Sequence, residues 1–309
     1  MAQNSTYAYI PGFFAQDDPQ ADPDVIGALP DRLGLLDSNP GHWQNFQLNI
    51  TALGSEGKPG DSIKVFFLGR HGQGYHNAAQ AKYGLPAWDD HWSRLNGDGE
   101  IVWGREYLHS QIRADSFLTP LGIQQAEAAH NKWLNEMPSG IPVPTVFYSS
   151  PLTRALRTLE ITWTDITLPD KAKDVQLHPS HKVVIAENCR EVCGGDTSDK
   201  RRPKSWIAEN FPLFDFNSGF SEEDEFWTPD SIETEDHVNA RALSILDHIW
   251  DKYPTETCAS ANLSGKDLAG SPNKCPDVGR LAIRSSAGNL LADESRSATC
   301  GIRSALTLF

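Results

Sequence analysis

The sequence predicts an α/β fold built on a mostly parallel sheet. Short apolar runs that are rich in β-branched and aromatic residues alternate along the chain with segments of helical periodicity. Strands that alternate with helices in this way are typical of parallel sheets. The chain has 309 residues, of which 39% are hydrophobic and nine are Trp, so it can bury a sizeable core.

The predicted strands are the apolar runs 63–68, 143–148 and 182–186. The predicted helices cover residues 73–83, 120–137, 151–163 and 235–253. Thr119 is expected to cap the second helix, with Pro120 at its first position, and Ser150 and Pro151 are expected to open the third helix in the same way. The last helix repeats its apolar residues at a period near 3.6.

Both ends of the chain, and one internal segment, depart from this alternation. Residues 7–14 are too apolar for a free tail, which predicts an extended N-terminal arm packed on the body. Residues 88–116 show no clean period and are interpreted as an irregular excursion or cap. Residues 255–309 are polar, and no buried strand is visible after residue 253. We therefore predict an α/β domain over residues 1–254, including arm and cap insertion, and an atypical polar tail over residues 255–309.

Charge and composition limit the partners that the chain can have. With 27 basic and 41 acidic residues, the formal charge is −14 and no basic stripe is present, which argues against nucleic acid and anionic membranes. No run approaches the roughly 18 apolar residues of a membrane span. The N-terminus shows no secretory signal, and five cysteines fit reduced thiols, so we expect a cytoplasmic protein. The oligomeric state cannot be inferred.

An Arg-His pair flanked by glycines follows the first predicted strand, at Arg70 and His71. Ligands of open α/β sheets bind beyond the carboxyl ends of the strands. Arg70 offers a planar fork of donors to phosphate oxygens, and His71 could attack phosphorus with one ring nitrogen while a backbone carbonyl holds the other. The pair by itself is more typical of a solvated loop that carries a structural histidine, since isolated histidines seldom have a catalytic role.

Two further segments complete the pattern. The run Ser149-Ser150-Pro151-Leu152-Thr153-Arg154 follows the second strand and places Arg154 at a helix start, where anions are favoured. The segment 187–195 follows the third strand and contains Glu191. A carboxylic acid beside a phosphate pocket can protonate a leaving oxygen. Either segment alone is also compatible with ordinary surface charges.

Together, the Arg70-His71-Gly72 motif, the Ser-Pro-Leu-x-Arg-Ala run and the downstream Arg-Glu pair resemble the histidine phosphatase superfamily, the phosphoglycerate mutase-like enzymes. The resemblance covers residues 1–254. Within the superfamily, the chain most resembles a branch that is common in fungi. It implies a three-layer fold with helices on both faces of the sheet. It also implies no metal and no cofactor.

The resemblance assigns roles to individual residues. His71 would be the nucleophile that becomes phosphohistidine, and Arg70 and Arg154 would bind the transferring phosphoryl group. Asn77 would support that pocket. Glu191 would donate a proton and then activate water; it is preferred to Glu187 because Glu191 and Gly195 have the Glu-x-x-x-Gly spacing of the family.

The chain departs from the family at its C-terminal end. Family members carry a second catalytic histidine after a buried strand, whereas the last histidines here, His237 and His248, lie in a predicted helix. The nearest echo of the motif places Thr299 at that position. Three explanations stay open: an altered reading frame or retained intron, a divergent tail with a degenerate site, or another residue that replaces the histidine.

The expected activity is the metal-independent hydrolysis of a small phosphate ester through a phosphohistidine. A phosphomutase would use the same chemistry but must protect the phosphoenzyme from water. A catalytically degenerate member that binds a phosphorylated ligand or partner through Arg70 and Arg154 is the third alternative. The sequence does not identify the substrate.

Overall fold

The strand that precedes the Arg-His pair, β2 (Ser62–Arg70), lies inside a seven-stranded sheet. The structure, a computed structural model, describes residues 6–59, 61–107, 110–169, 182–253, 258–263 and 277–285. The other strands in the described part are β1 (Thr6–Tyr9), β3 (Arg105–Tyr107), β4 (Ser110–Ala114), β5 (Val146–Ser149), β6 (Lys182–Ile185), β7 (Asp215–Phe216), β8 (Cys258–Leu263) and β9 (Asp277–Ser285).

The α-helices of the described residues are α1 (Pro23–Ile26), α2 (His42–Glu56), α3 (Tyr75–Tyr83), α4 (Leu85–Asp90), α5 (Pro120–Glu136), α6 (Thr153–Trp163), α7 (Lys204–Asn210) and α8 (Glu235–Lys252). The prediction for α5 is accurate at its start, where the Thr119 side chain accepts a hydrogen bond from the Gly122 amide at 3.0 Å. The predicted start of α6 was wrong: Leu152, not Ser150, is its N-cap, and the helix begins at Thr153.

The order of strands in the large sheet is β1-β9-β2-β8-β5-β6-β7. Strands β2, β8, β5, β6 and β7 run parallel to one another, while β9 is antiparallel to both β1 and β2. The expectation of a mostly parallel sheet is therefore confirmed. Because parallel strands end at the same edge, the residues that follow β2, β5 and β6 emerge on one side of the molecule.

Two apolar cores lie on opposite faces of this sheet, since successive strand residues point to opposite sides. On one face, Phe67, Phe147 and Ile185 belong to a core with buried residues of α2, α5, α6 and α7. On the other face, Phe66 and Tyr148 belong to a core with α8, whose buried apolar residues are Val238, Ile245, Leu246, Ile249 and Trp250. The sheet thus has helices on both faces, which confirms the three-layer arrangement.

The expectation that no strand follows α8 was wrong. Strand β8 begins at Cys258, five residues after Tyr253, and pairs in parallel with both β2 and β5. Strand β9 also comes from the segment predicted as a tail, and it pairs with β1 of the N-terminal arm. The sheet therefore extends past the predicted boundary at residue 254. A run of small and polar residues forms β8, which is why apolar periodicity did not indicate it.

Two other segments are more regular than their sequences suggest. The N-terminal part contains α2, which buries Trp43, Phe46 and Ile50 against the sheet, besides the short strand β1. The predicted irregular excursion, residues 88–116, contains the end of α4 and the antiparallel strands β3 and β4. Within it, Trp88 and Trp103 are fully buried and pack at 5.4 Å between ring centroids. None of the helices formed by the described residues is both long and apolar enough to cross a membrane.

Candidate active site

The imidazole of His71 lies directly after β2 and is 3% exposed. Its Nδ1 is 2.6 Å from the carbonyl oxygen of Gly72, and its Nε2 accepts a hydrogen bond from Nε of Arg154 at 3.1 Å. Burial, followed by the positive charges of Arg154 and Arg70, holds the pKa of His71 well below its ordinary value. A neutral ring with its proton on Nδ1 satisfies both contacts and leaves the lone pair on Nε2.

Glycine at position 72 lets the Arg-His loop lie directly against α5. A Cβ on Gly72 would come within 2.3 Å of the Gly122 carbonyl oxygen, and a Cβ on Gly122 would come within 2.2 Å of the Gln73 carbonyl oxygen. The Gly72 amide also donates to Oγ1 of Thr158 at 3.0 Å. The carbonyl that orients His71 is therefore fixed by contacts with both α5 and α6.

Arg154 connects the three chain segments that the sequence analysis singled out. It is the second residue of α6, its side chain is fully buried, and its Nε faces His71. Its Nη1 donates to the Ser198 carbonyl at 2.7 Å, and its Nη2 lies 3.1 Å from both Oε2 of Glu191 and Oδ1 of Asp199. Burial alone would lower the pKa of Arg154, but the surrounding carboxylates outweigh it and raise that pKa.

Arg70 precedes the loop that carries His71 in the chain, and Asn77 follows that loop. Arg70 is the last residue of β2 and is 9% exposed, and its charge contributes to the low pKa of His71. Asn77 lies in the first turn of α3, where its Oδ1 accepts a hydrogen bond from the Gly74 amide at 2.9 Å. The hydrogen bond between Asn77 and Gly74 therefore stabilises the loop that carries His71.

The two candidate glutamates have different surroundings. Glu191 is 7% exposed and meets Arg154. Glu187 instead accepts hydrogen bonds from Nε of Arg201 and, at 3.2 Å, from Nη1 of Arg190. Of the two glutamates, Glu191 is the one that contacts Arg154, which in turn contacts His71.

Asp115 is part of the site, although sequence reasoning missed it. Its carboxylate accepts hydrogen bonds from the backbone amide and the hydroxyl of Thr153, the first residue of α6. Burial raises the pKa of Asp115, against the opposing charges of Arg202 and Arg154 and the hydrogen bonds from Thr153. An Asp that caps a helix from 38 residues earlier leaves no local pattern in the sequence.

Asp199, His76 and Arg202 were also left without a role. Asp199 shares the Nη2 of Arg154 with Glu191. The ring of His76 lies 5.5 Å from that of His71, centroid to centroid. The guanidinium of Arg202 lies over the rings of Phe117 and Trp206 at 5.4 and 5.0 Å, and its charge acts on Asp115. Asp199 lies in the run Thr197-Ser198-Asp199-Lys200-Arg201, which is part of the resemblance to the fungal branch and was the available signal for this residue.

The arrangement combines a neutral imidazole, two arginines and a carboxyl group at one edge of the sheet. Arg70 and Arg154 supply positive charge where a phosphate can approach Nε2 of His71, and the Glu191 carboxyl group lies beside Arg154. Such a set can bind a phosphoryl group, accept it on nitrogen and exchange protons with an attached oxygen. Among the described residues, no group of three or more His, Cys, Asp or Glu side chains is placed to hold a metal ion.

The position expected for a second histidine falls outside the described residues, and so does Thr299. The strand that precedes this position is β8, whose last residue, Leu263, lies opposite Arg70 of β2 in the register. The next residues in the sequence are Ser264 and Gly265. The assignment of Thr299 to this place therefore remains a prediction.

The chain is similar to known proteins over most of its length. The model of the histidine phosphatase superfamily (branch 1) matches residues 98–261, just over half of the chain. A probable phosphoglycerate mutase of Arthroderma benhamiae is 34% identical over 259 residues, covering 79% of this chain and 72% of the relative. Phosphomutase-like protein 3 of Candida albicans is 31% identical over 257 residues, covering 83% of this chain and 70% of the relative.

Among solved structures, the ecdysone phosphate phosphatase of Bombix mori in complex with tungstate is 18% identical, with a TM-score of 0.39, covering 65% of this chain and 73% of that chain. The family match and the two fungal relatives carry the assignment: this chain belongs to the histidine phosphatase superfamily.

Proposed function

We propose that this protein hydrolyses a small phosphate monoester in two steps, through a phosphohistidine on Nε2 of His71. The observation that carries the proposal is the orientation of the imidazole. Its Nδ1 is held by the Gly72 carbonyl, while its Nε2 faces the guanidinium of Arg154. A substrate phosphate would replace the hydrogen bond between the two side chains and bring phosphorus to the nitrogen lone pair.

In the first step, Nε2 of His71 attacks phosphorus while the bond from phosphorus to the ester oxygen breaks. The departing oxygen takes a proton from Glu191, while the other ring proton stays on Nδ1 of His71, which donates a hydrogen bond to the Gly72 carbonyl. In the second step, Glu191 takes a proton from water, whose oxygen attacks phosphorus as the bond to nitrogen breaks. The products are an alcohol and inorganic phosphate, and His71 returns to its neutral form.

Positive charge supplies most of the expected rate enhancement, because the transition state of phosphoryl transfer is loose. The positive charges of Arg70 and Arg154 both act at His71 and would neutralise the equatorial oxygens. This charge is built into the chain, and we therefore propose a reaction that needs no metal.

The decisive experiment measures phosphate release from an aryl phosphate in the presence of a chelator. We expect release by the wild type, loss of release in His71→Ala, and full activity in a control, His91→Ala, whose side chain is exposed in the cap segment. Glu191→Gln with the same good leaving group should accumulate an acid-labile, base-stable phosphoprotein. Release that persists in His71→Ala would overturn the proposal.

The same experiment tests the alternative of a binding protein. The sequence has no histidine after His248, and therefore none in or after β8, which favours a weaker catalyst than a family member that carries both histidines. A folded protein that binds phosphate saturably, with Arg154→Ala abolishing binding, but that releases none from any ester, would establish the binding function instead.

A further inference from the structure

Arg241 lies on α8 and is buried, and its guanidinium holds the loop that carries Glu191. Its Nη1 donates to the carbonyl oxygens of Asn188 at 3.1 Å and Arg190 at 2.9 Å. Its Nη2 donates to the carbonyl oxygen of Glu191 itself at 3.1 Å. One side chain thus binds three carbonyls within a stretch of four residues.

The charge of Arg241 is neutralised by Glu233. Nε and Nη2 of Arg241 each lie 2.6 Å from one carboxylate oxygen of Glu233, and both side chains are almost completely buried. Glu233 also fixes the far end of the loop, because its Oε2 accepts a hydrogen bond from the Cys193 amide at 3.1 Å and its own amide donates to the Cys193 carbonyl at 2.9 Å. The pair therefore holds the loop on both sides of Glu191.

We infer that the Arg241–Glu233 pair is a positioning device for the proton donor. The loop forms only a short 3-10 turn, over Glu187–Cys189, before Glu191, so strand or helix hydrogen bonds do not hold the backbone of Glu191. The planar fork of Arg241 supplies that support. The inference rests on the proposed function, since it concerns the step in which Glu191 protonates the departing oxygen.

Arg241 acts by fixing the position of the Glu191 backbone, and not by attracting the phosphate electrostatically. Its bidentate partner cancels its charge, whereas Arg154 reaches toward the reacting atoms. A displacement of the Glu191 backbone would move the carboxyl group away from Arg154. Loss of the fork should therefore impair proton transfer to the leaving group and spare the attack by His71.

The test compares leaving groups. We would measure kcat/KM for a series of phosphate monoesters, from nitrophenyl phosphate to an alkyl phosphate, because only poor leaving groups need a proton in the transition state. General acids contribute about 10²- to 10⁴-fold, so Arg241→Lys should lose about 10- to 100-fold with the alkyl ester and little with nitrophenyl phosphate. Glu191→Gln should show the same dependence on the leaving group, more steeply.

Two controls separate positioning from general damage to the fold. Trp43→Phe removes a buried hydrogen bond in the core on the other face of the sheet, where Nε1 of Trp43 donates to Oε2 of Glu136 at 2.9 Å, and its effect should be even across the series. The double variant Arg241→Lys/Glu191→Gln should be no slower than Glu191→Gln alone. An even loss for Arg241→Lys, or a further loss in the double variant, would contradict the inference.

A variant of Glu233 and a measurement of amide exchange test the inference even if the Arg241 variant is unstable. Glu233→Gln keeps the carbonyl contacts available and should show a smaller loss with the same dependence on the leaving group. Amide exchange at Cys193 should accelerate in both variants, while exchange within β2 stays as in the wild type. Unchanged exchange at Cys193 would overturn the inference. Absence of His71-dependent release by the wild type would instead contradict the proposed function.

Discussion

Nε of Arg154 donates a hydrogen bond to Nε2 of His71 at 3.1 Å, and both side chains are buried. A positive charge therefore faces the only imidazole nitrogen that can attack phosphorus, since the other ring nitrogen is engaged with Gly72. Burial, followed by this positive charge, lowers the pKa of His71 and keeps the ring neutral, and the contact marks the place where a phosphate can lie between the two groups. Several properties of the protein should depend on this contact.

Replacement of Arg154 by Lys should lower kcat/KM by about 100- to 1,000-fold, because one stabilising donor of this kind is worth that much. A lysine cannot reproduce the fork that meets His71, Ser198 and Glu191 together. Phosphate release from an aryl ester measures the effect. The matched control is Arg157→Lys, one turn further along α6, where the side chain is 51% exposed and should be dispensable. Equal losses in both variants would contradict the assignment.

The low pKa of His71 predicts how stability changes with pH. Between the ordinary pKa of histidine and the lower pKa in the folded state, the unfolded chain binds one more proton at this position, so stability rises with pH. Acidification through this window should therefore cost up to about 1.4 kcal/mol per pH unit. Urea unfolding at pH 7.5 and pH 5 should show a smaller acid loss in His71→Gln than in the wild type. Identical pH slopes would show that His71 does not stay neutral in the fold.

Asp115 should be needed for both folding and activity, since it satisfies the first amide of α6. Asp115→Ala leaves the buried Thr153 amide without its acceptor, a loss that costs about 1–3 kcal/mol. It should also lower the rate, because Arg154 is the next residue along the helix. Urea unfolding and phosphate release measure the two effects. Asp230→Asn, at an exposed position, is the control and should change neither.

Gly72→Ala tests the close approach of the Arg-His loop to α5. The added Cβ would lie 2.3 Å from the Gly122 carbonyl oxygen, so the loop or the helix must shift. We expect a loss of about 1–3 kcal/mol, as for other overpacked sites, together with a marked loss of activity. Gly54→Ala in α2 is the control: a Cβ there meets no atom within 4 Å, and the change should stabilise the helix by about 1 kcal/mol. Wild-type stability and activity in Gly72→Ala would contradict the contact.

Local patterns in the sequence were sufficient for the centre of the fold. The apolar runs that became β2, β5 and β6 are continuous, and each is followed by polar residues that cannot be buried without partners. Because these strands are parallel, the residues that follow them lie at one edge of the sheet. Arg70, His71, Arg154 and Glu191 are therefore expected at the same edge. The residue types and their order along the chain thus predicted the family and the core of the site.

The tertiary structure decided which other residues complete the sheet and the site. Backbone pairing with β2 and β5 determines the place of β8, although its residues show no apolar periodicity. Asp115 and Arg241 act through hydrogen bonds to groups 38 and about 50 residues away. Short-range periodicity contains no information about such pairs, because only the folded chain brings their donors and acceptors together and removes the water that would otherwise satisfy them.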